Sequence, residues 1–597
     1  MVVLRRLAGL IIMGLLATAL STSAYDTGSN VTVEISPNAE LLGVLYYLAF
    51  GNDTFVIDRG GYIKDVEVYF GKYRDSDAVA LVRDYFSGAN TIPERDYRLM
   101  VLEYYLLLCS EPPELKPLTE LGYPWFEDVF LPAVRKFAEE SNFMEFYRTH
   151  QNYYREDLRI YIGALSLLPP DEFMAKTTGI SNVKYIFLHP YLVAVHGHSF
   201  NPELNGTLYW GAGGMMPLVR RTSQRTVWSY KTARDTMFGL PLNRDIINST
   251  YLDELIYLGF IYHELGHDVT LPALYSINLT EYEYLQDAIE EDMPYLARYD
   301  IHFWDSVGMI YEGFADAWED YALAQLDENY TLLAMYMQKA WGEFWVEELF
   351  YRIQDCVGKV RLMEVPNLTA CVPWALESLK KFVSPENASL VYENEVPVTP
   401  LRAFDRAAQA GKIVIVYGTQ NPDENGTEYD RKTAEMIAEN LRKFYSQWPR
   451  GVDVVIKADS EVTDDDLREN LVLVGGPVAN ALVKEFEEEF PFRFVNVNGD
   501  WRLAYKCVKY SDCPYSVKFF TITNESIKGI AYLLTDNASV ILTVRNPYNP
   551  ENYVTWIAGE NRELTRLYTN PTYYLSSYEV YDGKEIQMGF YVQPLSS

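Results

Sequence analysis

The sequence holds few of the residues that bind soft metals or close disulfides: five cysteines and seven histidines among 597 residues. No two cysteines stand in a C-x-x-C pair, so the raw material for a zinc knuckle is missing. Beyond the first two dozen residues no apolar run has the length to cross a bilayer, and the C-terminal MGFYVQPLSS carries no anchor pattern. Positive charge is also short. The 51 Lys and Arg face 83 Asp and Glu for a formal net charge of -32, a field that repels phosphate backbones and argues against nucleic acid as a partner. There is no internal repeat and no low-complexity tract.

The 48% apolar share and the 48 tyrosines supply ample material for packed interiors, and the length calls for two unequal domains, with three as the alternative. The opening MVVLRRLAGLIIMGLLATALSTSAYD has a basic pair, an apolar run and small residues up to Ala24. That is the layout of a secretory signal over residues 1–24, with an uncleaved anchor as the alternative. Either way the bulk of the chain is expected to be secreted or held at the cell surface. N-x-Ser/Thr triplets at Asn30, Asn52, Asn205, Asn248, Asn278, Asn329, Asn367, Asn387, Asn425, Asn524 and Asn537 point the same way, towards a glycoprotein. Sequence proximity pairs Cys356 with Cys371 and Cys507 with Cys513, which leaves Cys109 over.

After the signal, SPNAELLGVLYYLAF opens on a Ser-Pro turn and continues at helical spacing, and helical patterns dominate to about residue 380. VKYIFLHPYLVAVHGHSF and TLYWGAGG flank a turn-rich segment and read as strands of a small sheet, with WGAGGMM taken as a turn. Residues 386–405 have the Pro, Asn and Glu content of a linker. Beyond them KIVIVYG, VDVVIKAD and NLVLVGG alternate with helical stretches, the order expected of parallel strands with right-handed crossovers. The glycines of LVGGP lack the spacing of a phosphate-binding loop and read as a connecting turn. The expected architecture is therefore α+β. A mainly helical domain with a small sheet spans residues 25–385, and a smaller flavodoxin-like, mostly parallel α/β accessory domain spans residues 406–597.

YLGFIYHELGHDVT carries the chemistry. Thr250 and Asp253 resemble a capping box, and Pro272 is expected to end the helix soon after the second histidine. On that helix His263 and His267 project only about 40° apart, one turn above the other, so both imidazoles reach one cation at roughly 2 Å. The stripe runs back through Gly259, Ile256 and Leu252, which turns this face inward. Buried imidazoles without partners are costly, and a metal removes the cost. A hydrolytic zinc site needs a third protein ligand and an open position. SVGMIYEGFADAWEDYALA supplies a second amphipathic helix with Glu312 and Asp316 four apart on one face. Glu264, rotated by about 100° from His263, is placed to act as general base rather than ligand. Among the other histidines, His196, His198 and His302 are the candidates for stabilising a transition-state oxyanion.

HELGH with the downstream EGFAD resembles the gluzincin zinc metallopeptidases. The resemblance covers about the central sixty residues. It implies one catalytic zinc ion on His263, His267 and Glu312, Glu264 as general base, and Asp316 orienting a ligand imidazole. The ligands are further apart in sequence than in thermolysin-like enzymes. Through SPNAELLGVLYYLA and the two motif helices, the first domain also resembles a family of secreted prokaryotic HExxH proteins without assigned function. The expectation is a secreted peptidase acting on peptide or protein substrates. The alternative from another class is a cell-envelope structural or binding protein whose zinc only staples two helices, and hydrolysis of non-peptide amides is a third reading.

Overall fold

A computed structural model describes residues 25–26, 30–53, 55–57, 61–90, 92–214, 249–294, 305–446, 451–506, 517–523, 525–530, 534–535 and 537–595. The signal segment, His302, the Cys507–Cys513 pairing, Asn248 and Asn524 lie outside the described residues. The fold is α+β, helical towards the N-terminus and sheet-rich towards the C-terminus. Two compact units divide the chain. The first takes in the N-terminal strands and helices, Asp253–Ala273 and Cys356–Val372; the second holds Leu274–Asp355 and Pro373–Ser597.

In the first unit, β1 (Tyr25–Asp26), β2 (Val31–Ile35), β3 (Val183–His189), β4 (His198–Ser199), β5 (Glu203–Leu204) and β6 (Thr207–Gly213) form one sheet. Its order is β1-β2-β3-β6-β4, with β5 also on β6, and the β2/β3 and β3/β6 pairs are parallel. Val31, Val33 and Ile35 are buried in strict alternation with half-buried neighbours, so one face of β2 meets the core. The helix Pro37–Phe50 is buried around most of its circumference. Ser36 caps it by accepting from the amides of Asn38 and Ala39, and Pro37 sits at the first position.

Besides Ser36, the polar side chains of SPNAELLG, Asn38 and Glu40, are employed inside that core. Asn38 donates to the carbonyls of Leu106 (2.7 Å) and Cys109 (3.0 Å) at the end of the helix Ile92–Leu107. Glu40 accepts from the Tyr62 hydroxyl (2.6 Å) and from the amides of Tyr191 (2.8 Å) and Leu192 (3.0 Å). A Cβ on Gly43 would lie 3.3 Å from Leu192 Cβ, so the glycine lets the 191–193 segment lie close against the helix. WGAG is the end of β6, as the strand reading of TLYWGAGG expects, and Gly214 directly after it bends with φ +73. Its glycines are there for close approach: a Cβ on Gly211 would stand 1.7 Å from the Ile186 carbonyl oxygen of β3.

The second unit is built on a nine-stranded sheet of order β13-β12-β18-β17-β15-β16-β9-β7-β8. In chain order these are β7 (Lys412–Tyr417), β8 (Asp453–Ala458), β9 (Asn470–Val474), β12 (Val517–Ile522), β13 (Ile527–Lys528), β15 (Ser539–Asn546), β16 (Asn549–Gly559), β17 (Tyr578–Tyr581) and β18 (Ile586–Tyr591). A separate small sheet joins β10 (Phe492–Val497), β11 (Asp500–Tyr505) and β14 (Leu534–Thr535). The parallel pairing expected of KIVIVYG, VDVVIKAD and NLVLVGG is present for β8, β7, β9 and β16, whereas the other pairs of the large sheet are antiparallel. Ile413 and Ile415 pack with Ile437 and Leu441 of the helix Glu424–Tyr445, while Val414 and Val416 pack on the other side with Phe486 and Phe490. Both faces of the sheet are therefore covered, which is why its strands are continuously apolar. Gly475, in LVGGP, has φ +96, a turn conformation that favours glycine.

Within residues 386–405 the structure holds the helix Ala388–Glu395 and the start of the helix Pro400–Ala410. Arg402 there is fully buried and ion-paired with Asp292 and Glu393, and its guanidinium lies over the rings of Tyr392 (5.1 Å) and Tyr553 (5.7 Å). Cys356 and Cys371 form a disulfide, and Cys109 is buried as a free thiol. Asn30, Asn52, Asn205, Asn278, Asn425 and Asn537 are exposed, whereas Asn329 donates to Ile527 and Asn387 to Phe382. Among the described residues no helix is long and apolar enough to cross a membrane.

Candidate metal centre

The helix carrying HELGH runs Thr250–Leu274. It starts at the expected residue but continues past Pro272, which lies inside it. Leu255, Leu258, Ile261, Tyr262, Leu265 and Val269 are all buried and hold the helix in the core. His267 is buried and His263 half-buried. Their ring centroids are 4.8 Å apart with planes at 89°, as one helical turn requires.

EGFAD lies on the helix Asp305–Leu323. Gly313 in it allows tight packing, since a Cβ there would stand 2.5 Å from the Trp345 indole nitrogen. One donor atom from each of His263, His267 and Glu312 lies within 4.8 Å of the other two. A second group with the same spread joins His263, Asp316 and Glu319. Asp316 and Glu319 each bring a carboxylate oxygen within 4.8 Å of a His263 nitrogen. Two imidazoles and a carboxylate at this spacing suit one borderline-soft divalent ion, and zinc accepts that donor set.

Glu264 is 6% exposed, and its Oε2 makes no hydrogen bond among the described residues. Burial, and then the neighbouring Tyr257 and Glu264, hold the Tyr161 phenol well above its ordinary range. The phenol is therefore neutral and can donate. Its ring meets His189 edge-on at 4.2 Å.

Asp268, next to the second histidine, accepts from the Gly211 amide of β6 at 2.9 Å. Burial keeps its carboxyl well above the usual range against the opposing pull of that amide. The bond ties the motif helix to the sheet. Sequence reasoning passed over Asp268, Tyr161 and Glu319. Asp268 was legible as a polar residue beside HELGH on a helix packed into the core, and Glu319 by its position seven after Glu312. Nothing distinguished Tyr161 among so many tyrosines.

The remaining histidine candidates are engaged elsewhere. His196 Nδ1 lies 3.3 Å from Asp96, and His198 Nε2 lies 3.1 Å from the fully buried Glu103, both carboxylates on the helix Ile92–Leu107. Neither histidine is among the grouped donors.

Residues 310–567, under half of the chain, match the family described as "S-layer like family, outer domain". No curated protein matches the chain.

Proposed function

We propose that this protein works at the cell envelope and carries one divalent ion, zinc by the chemistry of the donors, on His263, His267 and Glu312. The convergence of those three donors within 4.8 Å is the observation that carries the metal. The likeness of residues 310–567 to an S-layer like outer domain supports the envelope, as do the signal-like N-terminus and the net charge of -32. In this reading the ion fastens the motif helix to the helix of EGFAD, and the protein serves a structural or binding role. Binding of the ion stabilises the folded chain by mass action, so its removal lowers the melting temperature.

A second reading, hydrolysis of peptide bonds at the same centre, is favoured by Glu264. Its buried carboxylate, with one oxygen that makes no hydrogen bond among the described residues, suits a general base. Bound zinc would supply a polarised carbonyl and a more acidic water. The residues would divide the remaining work: His263, His267 and Glu312 hold the ion, Asp316 orients the His263 imidazole, and Glu264 takes a proton and returns it to the leaving amine. This is the gluzincin arrangement that HELGH and EGFAD resemble. Peptide and protein substrates belong to this reading alone.

One experiment separates the two. Purified protein is assayed for zinc content, then for cleavage of casein and of a peptide library, beside Glu264→Gln. Zinc held with no hydrolysis supports the structural reading. Cleavage that Glu264→Gln abolishes while zinc stays bound supports the peptidase. Protein that holds no divalent ion overturns both.

A further inference from the structure

The arm Cys356–Cys371 is closed on itself by its disulfide, fifteen positions apart, with both sulfurs buried. It belongs to the first unit although the chain on either side of it belongs to the second. Its last turn, Thr369–Cys371, meets the motif helix. There the Thr369 hydroxyl donates to the Val269 carbonyl at 2.7 Å, two residues after His267. One residue earlier, the Leu368 amide donates to the Thr178 carbonyl at 2.8 Å, and the Leu368 side chain is fully buried. Gly179, at φ +72, lies so close under the arm that a Cβ would come within 3.0 Å of Val360 and 3.1 Å of the Pro366 carbonyl. The arm is thus pinned to the helix Pro170–Thr178 and to the motif helix together.

The motif helix needs outside support at this turn. Pro272 has no N–H for the carbonyl of residue 268, so the hydrogen-bond ladder is incomplete directly after His267. The Thr270 hydroxyl is turned back to the Gly266 carbonyl and gives nothing forward. An added donor on the Val269 carbonyl fixes the same turn from outside.

We propose that the disulfide-closed arm is a clasp that positions His267 and so sets how tightly the metal is held, with Thr369 as the positioning residue. The inference rests on the metal reading given above. Opening the disulfide frees the arm to swing from Val269, and the metal is then lost more readily. With a phosphine as reductant the step is balanced: the S–S bond breaks, water supplies two protons and an oxygen, two thiols form, and the phosphine becomes its oxide.

The test uses full-length zinc-loaded protein and follows release of zinc to a chromogenic chelator. Cys356→Ser/Cys371→Ser, and wild-type protein treated with a phosphine, should each release zinc about tenfold faster, the usual scale for losing an outer support of a ligand. Thr369→Val, with the disulfide intact, should release it several-fold faster, while Thr369→Ser restores the wild-type rate. Circular dichroism establishes that each variant is folded. Equal release from oxidised protein, reduced protein and Thr369→Val overturns the clasp and leaves the metal reading standing. Wild-type protein that takes up no zinc overturns the metal reading, and the clasp with it.

Discussion

Gly211 sets a limit that a single methyl group would break. Its Cβ would stand 1.7 Å from the Ile186 carbonyl oxygen, and the same residue gives its amide to Asp268 beside the second histidine. Gly211→Ala must push β6 off β3 and drag Asp268 with it. The expected loss is about 3 kcal/mol or more, read as a lowered urea midpoint together with weaker metal retention. Asp430 gives a pH signature. Burial raises its carboxyl to about 6, with Arg562 and Arg566 opposing. A carboxyl raised in the folded state holds its proton there more tightly than in the unfolded chain. Its contribution is therefore most favourable at acid pH and is lost as pH rises through about 6. Asp430→Asn removes that slope. The variant's stability relative to wild type should grow through this window and level off above it, at a gain of up to about 3 kcal/mol. A flat difference across pH in paired denaturant titrations would count against the assignment.

Among the elements, the helix Pro37–Phe50 orders its surroundings through buried polar side chains. The Asn38 amide serves two carbonyls at the end of the helix Ile92–Leu107. Asn38→Ala leaves those buried acceptors without it and should cost about 1–3 kcal/mol, measured by denaturant unfolding. Helices with a clear period and a cap were legible in the sequence. The motif helix begins at Thr250, one residue inside the expected cap, since it is Ser249 that accepts from the Leu252 amide at 3.3 Å, and Glu312 and Asp316 face one way because they stand four apart. The parallel strands β7, β8 and β9 were legible from their β-branched runs. The antiparallel β17 and β18 were not: YEVY and IQMGFY are short, and what makes them strands is pairing with each other, β15 and β12. The purpose of the β6 glycines was not legible, because residues without side chains carry no period. Their reason lies in β3, some twenty-five positions away in sequence.

For the molecule as a whole, Arg402 shows where the chain does not divide. Its partners Asp292, Tyr392 and Glu393 all precede Pro400. A fragment Pro400–Ser597 keeps the guanidinium but loses those partners, and breaking a buried pair of this kind costs about 3–5 kcal/mol. That fragment should be molten or insoluble, whereas Leu274–Ser597 should give dispersed amide signals by NMR. Arg402→Ala in the intact chain should lower the melting temperature by a similar energy.

The arm at 356–371 has a consequence for biogenesis. The first unit counts among its members a segment that leaves the ribosome only after Asp355. A nascent chain halted before Cys371 lacks the clasp, however long it waits, so the first unit stays unfinished until the stretch Leu274–Asp355 of the second has been made. A cut anywhere upstream of Val372 therefore leaves the first unit without one of its members.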